Sequence, residues 1–265
     1  MTMKKTMLFC LLLALMLSLW GCMPADVEET QLPTTEPTTA AVTTTQAVEL
    51  TTEPEHSPLY LPDYRFEQIW EYFEEVVFHM EYTDGTGDAT LVQKWCAPLY
   101  YYIYGDPTDE DLAVLENLFE QLNGIDGFPG IYAAETWEDA NLSISFLDAD
   151  AFVADFSECI NGEDAYGAAQ FWYYTDTNEI YTARIGYRTD LDQTTRTSIL
   201  LEEIVNMLGI TDTLLREDSI VYQHSNDNME LSDVDWTILK LLYSTEVYCG
   251  MNAEGCRFAI QDLYY

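Results

Sequence analysis

Apolar residues recur every three or four positions over several stretches of the chain, and this spacing predicts amphipathic helices. The first set is Phe66, Ile69, Trp70, Phe73, Val76, Val77 and Met80. The second is Leu112, Leu115, Leu118, Phe119 and Leu122, which follow a capping box of Thr108 and Asp111 and end at Gly124. A third helix, capped near Asp192 or Thr194, buries Leu200, Ile204, Met207 and Leu208. A fourth, capped by Ser232 with Asp235, covers Val234 to Tyr243.

Shorter apolar and aromatic runs between turn residues predict strands. They cover residues 99–104, 141–147, 170–174 and 180–187, and the first ends at the turn Gly105-Asp106-Pro107. No internal repeat or second linker divides residues 64–265, which fit one domain. The order of elements predicts an α+β fold, a single domain with a mixed sheet and flanking helices.

The first residues have the pattern of a secretion signal. Lys4 and Lys5 precede an apolar run from Met7 to Trp20, which is too short to span a bilayer core comfortably. The stretch 19–22, Leu-Trp-Gly-Cys, resembles a bacterial lipobox. We therefore expect residues 1–21 to be a lipoprotein signal peptide and Cys22 to carry the lipid; an ordinary signal peptide with an incidental cysteine is the alternative.

Residues 22–63 are rich in Thr and Pro and contain no Lys or Arg. Such a segment buries too little apolar area to offset the entropy of ordering it, so we expect a disordered tether after the lipidated cysteine. Together with the signal, the tether predicts a domain anchored by lipid at the extracytoplasmic face of a bacterial cell membrane. Glycosylation of the tether is left open.

The net charge of the chain limits the classes of partner that it can bind. The 265 residues include 10 Lys and Arg against 47 Asp and Glu, a formal net charge of −37. This balance excludes a nucleic-acid binder that neutralises phosphates, and anionic lipid headgroups would repel the domain. Since 48% of the residues are hydrophobic, disorder of the whole chain is also excluded.

The cysteines are candidates for disulfides outside the cytoplasm. With Cys10 removed and Cys22 lipidated, the remaining ones are Cys96, Cys159, Cys249 and Cys256. Four cysteines allow three pairings. The pairing of Cys249 with Cys256, which closes a short loop, is the one that we favour from spacing.

The C-terminal part resembles the end of a metzincin peptidase. The resemblance rests on residues 201–212 (LEEIVNMLGITD), 219–222 (SIVY), 231–235 (LSDVD) and 242–243 (LY). In that clan an H-E-x-x-H motif supplies zinc ligands and a general base. Here the histidine positions hold Glu202, Asn206 and Asp212. Glu203 matches the general base and Gly209 the turn, whereas Val221 stands where the methionine of the later turn is expected.

The same block more closely resembles the uncharacterised domain-of-unknown-function 2927 family of bacterial envelope proteins. The further matching segments are residues 91–95, 140–144, 180–185 and 250–251. The resemblance covers nearly all of residues 66–262. That family has a Glu-Glu-x-x-Gln-x-Leu-Gly run, usually after a His, where this chain has Leu201 and Asn206. The resemblance implies a metzincin-like fold and no established activity.

Three hypotheses follow. The first is a non-catalytic, peptidase-like binding domain, in which an edge strand near residues 180–187 pairs with an extended peptide or another envelope protein. The second is a metal-dependent hydrolase with Glu203 as general base and oxygen ligands from Glu202, Asn206 and Asp212, a set that suits Ca²⁺ or Mg²⁺ better than Zn²⁺. The third is a purely structural envelope role.

The alternative interpretation of Glu202 is a carboxylate that is paired with a cation such as Arg196 or Arg188, or that is hydrogen-bonded and holds the helix in place. The histidines are His56, His79 and His224, and none is spaced as part of a ligand pair. A divalent cation is the cofactor that the second hypothesis requires, and the first requires none.

Overall fold

The computed structural model describes residues 57–79, 91–160 and 165–265. The predicted signal peptide at 1–21, lipidation at Cys22 and most of the tether at 22–63 lie outside these residues. Within the described ranges, no helix is both long enough and apolar enough to cross a membrane.

The described strands and helices are interspersed as far as β6, and three helices follow it. The helices are α1 (Phe66–Phe78), α2 (Asp109–Asn123), α3 (Ala149–Phe156), α4 (Gln193–Met207), α5 (Asp233–Tyr243) and α6 (Ala253–Tyr264), with a short 3-10 helix at Trp137–Asp139. The strands are β1 (Lys94–Trp95), β2 (Leu99–Gly105), β3 (Ile131–Ala133), β4 (Leu142–Leu147), β5 (Gly167–Tyr173) and β6 (Glu179–Arg188). All four predicted helices and all four predicted strands are confirmed, with ends shifted by a few residues.

The strands form one mixed sheet in the order β1-β6-β4-β2-β3, and β5 pairs with β6. The pairings along that order are parallel, whereas β5 and β6 are antiparallel and joined by a tight turn. In this turn Asn178 adopts a positive φ of 61° and donates its backbone N–H to the Tyr174 carbonyl at 2.7 Å. The predicted mixed sheet with flanking helices is confirmed.

The expected open edge near residues 180–187 is wrong. Strand β6 pairs with β4 on one side and with β5 on the other, so its backbone groups are used on both sides. The reason is the turn before Glu179, which folds β5 back against β6. In the part of the chain that the structure describes, β5 itself pairs on one side only.

Helices lie on both faces of the sheet. Neighbouring residues of a strand point to opposite faces. A Cβ on Gly186 would lie 2.2 Å from the Phe156 ring of α3, whereas the Tyr187 hydroxyl donates to the Leu200 carbonyl of α4 at 3.0 Å. Helices α3 and α4 therefore cover opposite faces of the sheet. Helix α4 lies on the face to which Tyr187 points.

One predicted core position of α2 is wrong. Leu112 is 39% exposed, and its neighbour Asp111 is completely buried. The Asp111 carboxylate pairs with the buried guanidinium of Arg196 in α4. This ion pair turns the helix so that the carboxylate, and not the leucine, faces the interior.

The packed part of the chain begins before residue 64. The Ser57 hydroxyl donates to the Leu263 carbonyl at 2.5 Å, and the Tyr264 hydroxyl donates to the Tyr64 carbonyl at 2.9 Å. Leu59 and Leu61 pack against the core. The segment that leads into α1 is thus attached to α6, the last helix.

Candidate functional site

A cleft of about 690 Å³ opens beside α4. Its walls come from the end of α1, from residues 165–169 and Phe171 along β5, from α4 and from residues 209–212 after it. Glu202, Glu203, Asn206 and Asp212 all line it. The structure therefore brings the sequence-predicted catalytic and metal residues together in one cavity.

Helix α4 positions these side chains through its length and through the turn at its C-terminal end. Asp192 caps its start by accepting from the Thr194 and Thr195 backbone N–H groups. Glu202 and Asn206 stand four residues apart and so share a face of the helix. Gly209 then adopts a φ of +96°, and a Cβ there would lie 2.1 Å from the Gln93 carbonyl oxygen. Only glycine permits this close turn, which returns Asp212 to the cleft.

Side-chain amides hold the cleft carboxylates. The Asn206 Nδ2 donates to Asp212 Oδ1 at 3.1 Å, and the Asn226 Nδ2 donates to Glu202 Oε2 at 2.9 Å. The Asn206 Oδ1 is buried and accepts no hydrogen bond. Sequence reasoning missed Asn226, because it lies in the irregular segment before α5.

One of the three predicted metal ligands, Asn206, is an amide. Among the residues that the structure describes, no group of three or more His, Cys, Asp or Glu side chains is placed to hold a metal ion. Asn206 directs its amide nitrogen, not its oxygen, at Asp212. A divalent cation at Glu202, Asn206 and Asp212 remains a prediction, and binding one there requires these amide contacts to rearrange.

Glu203 lies closest to the strand. It is 8% exposed, and a Cβ on Gly167 would be 2.8 Å from its Oε1 atom. Burial, and then the Glu203 and Glu202 charges, hold the pKa of the Tyr187 hydroxyl well above its ordinary value. The predicted general base thus sits on the floor of the cleft against the bare backbone of β5.

The two arginines that we considered as partners of Glu202 have carboxylates of their own. Arg196 pairs with buried Asp111, and Arg188 makes a two-pronged contact with Asp190 at 2.7 and 2.9 Å. Of the histidines, His79 lines the cleft, whereas exposed His224 packs edge-on against Tyr222.

A buried network supports the turn that follows the cleft segment. Asp235 Oδ1 accepts from the Tyr72 and Ser219 hydroxyls, each at 2.8 Å, and Oδ2 accepts from the Ile220 backbone N–H at 3.1 Å. Burial, and then the Asp235 charge, raise the pKa of Tyr72 well above its ordinary value. The sequence predicts only the capping role of Asp235, because the capping box is local and the contact with α1 is not.

The structure separates the disulfide candidates. Cys159 lines the cleft, and Cys256 is buried in α6. The Sγ atoms of Cys96 and Cys249 lie 2.7 Å apart, and all four described cysteines are free. Cys249 thus has Cys96 beside it, and the pairing with Cys256 that spacing favoured remains a prediction.

The fold and the cleft define a single mixed α/β domain with an acidic cavity beside β5, which among the described residues pairs on one side only. The model of a family described as a protein of unknown function (DUF2927) matches residues 66–262. The chain belongs to this family, as its sequence indicates. A search of curated proteins finds none that matches. The likeness to metzincins stays a prediction.

Proposed function

We propose that this domain is an extracytoplasmic, lipid-anchored binding protein whose cleft holds an extended peptide carrying a basic side chain. The observation that carries the proposal is the meeting of Glu202, Glu203 and Asp212 in one cleft bordered by β5. Strand β5 supplies backbone groups to such a site, and α4 with the segment after it supplies charge.

Strand β5 supplies backbone groups. An edge strand presents alternating N–H and C=O groups that an extended peptide can pair with. Residues 167–169 of this strand also line the cleft, so a peptide added there would run along its mouth. Because Gly167 has no side chain, Ile199 and Glu203 of α4 approach the backbone of this stretch, which brings the Glu203 carboxylate up to the strand.

The cleft supplies charge. Its described lining contains the carboxylates of Glu202, Glu203 and Asp212 and neither Lys nor Arg. A cationic side chain entering the cleft would gain charge-assisted hydrogen bonds, whereas an acidic one would meet three like charges. The peptide is therefore expected to place Lys or Arg between α4 and β5.

The test is a survey of peptides that differ at one central position, read by fluorescence anisotropy on the purified protein. Peptides with Lys or Arg should bind, and their Glu counterparts should not. Glu202→Gln combined with Asp212→Asn should weaken binding at least tenfold, about 1.4 kcal/mol. Glu110→Gln, on the exposed start of α2, removes the same kind of charge away from the cleft and should change nothing.

Strand pairing has a separate signature. Methylating the peptide nitrogens one at a time removes single N–H donors, and strand pairing should make every second position sensitive. Binding with no such alternation would argue for a pocket that reads side chains alone. Absence of any binding peptide, or binding that survives the cleft double variant, would overturn the proposal.

The anchor is tested in cells. Metabolic labelling with a fatty-acid analogue should mark the wild-type chain, and Cys22→Ser should lose the label and leave the membrane fraction. Cys10→Ser, inside the predicted signal, is the matched control and should keep both. A labelled Cys22→Ser protein would contradict the anchor.

Hydrolysis is the second candidate, and the placement of Glu203 beside Glu202, Asn206 and Asp212 in the cleft supports it. Dialysis against Ca²⁺, Mg²⁺ and Zn²⁺ followed by metal analysis should then find one ion per chain, lost in Asp212→Ala. Glu203→Gln should abolish cleavage of a bound peptide and keep the metal. Metal at background level would leave peptide binding as the function of the cleft.

A further inference from the structure

Cys96 and Cys249 are brought together by the fold, although 153 positions separate them in the chain. Their Sγ atoms are 2.7 Å apart, whereas the bond in a disulfide is about 2.05 Å. Cys96 follows β1 and is exposed; Cys249 lies between α5 and α6 and is partly buried. The pair is thus close to bonding distance and open to solvent on one side.

Backbone contacts on both sides fix the two segments. The Val92 N–H donates to the Met251 carbonyl at 2.8 Å, and the Gly250 N–H returns a bond to the Val92 carbonyl at 2.9 Å. Buried Lys94 donates its ammonium group to the Leu242 carbonyl at 2.8 Å and also to the Val247 carbonyl. These contacts therefore hold the two segments, and with them the two sulfurs, next to each other.

The surroundings distinguish Cys96 from the other thiols. The hydrogen bond with the Cys249 thiol, helped by the nearby Lys94 charge, lowers the pKa of Cys96 to about 7. Burial raises the pKa of Cys256 to about 12, and burial also raises the pKa of Cys159. Because the thiolate is the reactive form, Cys96 is the described cysteine suited to react first.

We propose that Cys96 and Cys249 form a disulfide when the protein meets a disulfide oxidant, and that Cys159 and Cys256 stay thiols. The Cys96 thiolate attacks one sulfur of the oxidant R–S–S–R, and R–S⁻ leaves. Cys249 then loses its proton and attacks Cys96 Sγ in the mixed disulfide, which releases the second R–S⁻. Two cysteine thiols are oxidised, the oxidant is reduced, and the two protons end on the two released thiols.

The bond would lock the segment that borders the cleft. Cys96 directly follows β1, and β1 directly follows Gln93. The Gln93 carbonyl packs against Gly209 below α4. A link to Cys249 ties this segment to the connection between α5 and α6. Because the link closes a long loop, it restricts the unfolded chain strongly. The proposal does not depend on what the cleft binds.

The test uses the full-length chain equilibrated with oxidised glutathione or with excess reduced glutathione. Remaining thiols are trapped with N-ethylmaleimide, and non-reduced peptides are mapped by mass spectrometry. The oxidised sample should contain a peptide pair joined through Cys96 and Cys249, with Cys159 and Cys256 alkylated. The thermal midpoint should be higher in the oxidised sample by roughly 5–10 °C.

Variants supply the controls. Cys96→Ser and Cys249→Ser should each lose the linked pair and the oxidant-dependent rise in the midpoint, and Cys159→Ser should keep both. A link between Cys249 and Cys256, or full alkylation of Cys96 and Cys249 in the oxidised sample, would overturn the proposal. The peptide map of the native chain decides this even if a variant does not fold.

Discussion

At the scale of single residues, the most consequential side chain outside the cleft is Asp111. It is completely buried, accepts from Arg196 Nε at 3.2 Å and from Gln193 Nε2 at 2.8 Å, and closes the cap of α2 with Thr108. Burial alone would raise the pKa of Asp111, but these hydrogen bonds outweigh it and hold the pKa below its ordinary value. The carboxylate thus joins α2 to α4 most strongly when it is ionised.

Asp111→Asn should lower the free energy of unfolding by about 3–5 kcal/mol at pH 7, because it leaves the Arg196 charge buried without a partner. Since the folded pKa of Asp111 is depressed, its contribution is complete above about pH 4 and is lost as the pH falls through the lowered value. Urea unfolding of both proteins at several pH values measures this difference. Asp109→Asn, an exposed residue of the same helical turn, should cost under about 1 kcal/mol. Equal stability of Asp111→Asn and wild type at pH 7 would contradict the argument.

Gly209 is the other residue whose role is fixed by geometry. Gly209→Ala should lower stability by more than about 2 kcal/mol, because alanine disfavours its positive φ and the new Cβ meets the Gln93 carbonyl. Gly124→Ala is the matched control, since Gly124 caps α2 at an ordinary φ of −84°. Thermal unfolding compares the two variants. Unchanged stability of Gly209→Ala would mean that β1 can move away from α4.

At the scale of elements, the apolar pattern predicts four of the six described α-helices and four of the six described strands, and it misses α3, α6, β1 and β3. Helix α6 has 12 residues, but only Cys256, Ile260 and Tyr264 are buried, so its apolar pattern is sparse. Strands β1 and β3 have two and three residues, too few to show alternation. Helix α3 has eight residues and buries only Phe152 and Phe156. The cleft residues were predictable because four of them lie in or just after α4, whereas Asn226 and the partners of Lys94 depend on contacts between distant segments.

Lys94 is the residue through which β1 holds the connection after α5. Burial lowers the pKa of its ammonium group, which nevertheless donates to carbonyls at the C-terminal end of that helix. Lys94→Met should lower the free energy of unfolding by about 2–4 kcal/mol, because it leaves buried carbonyls without donors. Hydrogen exchange should speed up in residues 244–252. Lys240→Met, at an exposed position on α5, should change neither the free energy of unfolding nor the exchange rate. A Lys94→Met variant with unchanged stability and exchange would show that water replaces the ammonium group.

At the scale of the whole molecule, the dominant property is its charge of −37. A compact domain with such an excess of carboxylates repels itself, and salt screens this repulsion. The thermal midpoint should therefore rise by a few degrees between about 10 mM and 200 mM NaCl, and choline chloride should act equally. A midpoint that falls with salt would show that the ion pairs, such as Arg196 with Asp111, outweigh the repulsion. A rise caused by micromolar Ca²⁺ alone would instead indicate a specific cation site.

Contacts between the first and last segments of the domain also determine the order in which it can fold. Ser57 contacts Leu263, Val92 pairs with Met251, and Lys94 reaches Leu242. A chain that emerges N-terminus first must wait for its last twenty or so residues before α1 and β1 find these partners. Such long-range closure slows folding and leaves apolar surface uncovered meanwhile. A polypeptide cut short within α6 would therefore lose support at its beginning as well as at its end.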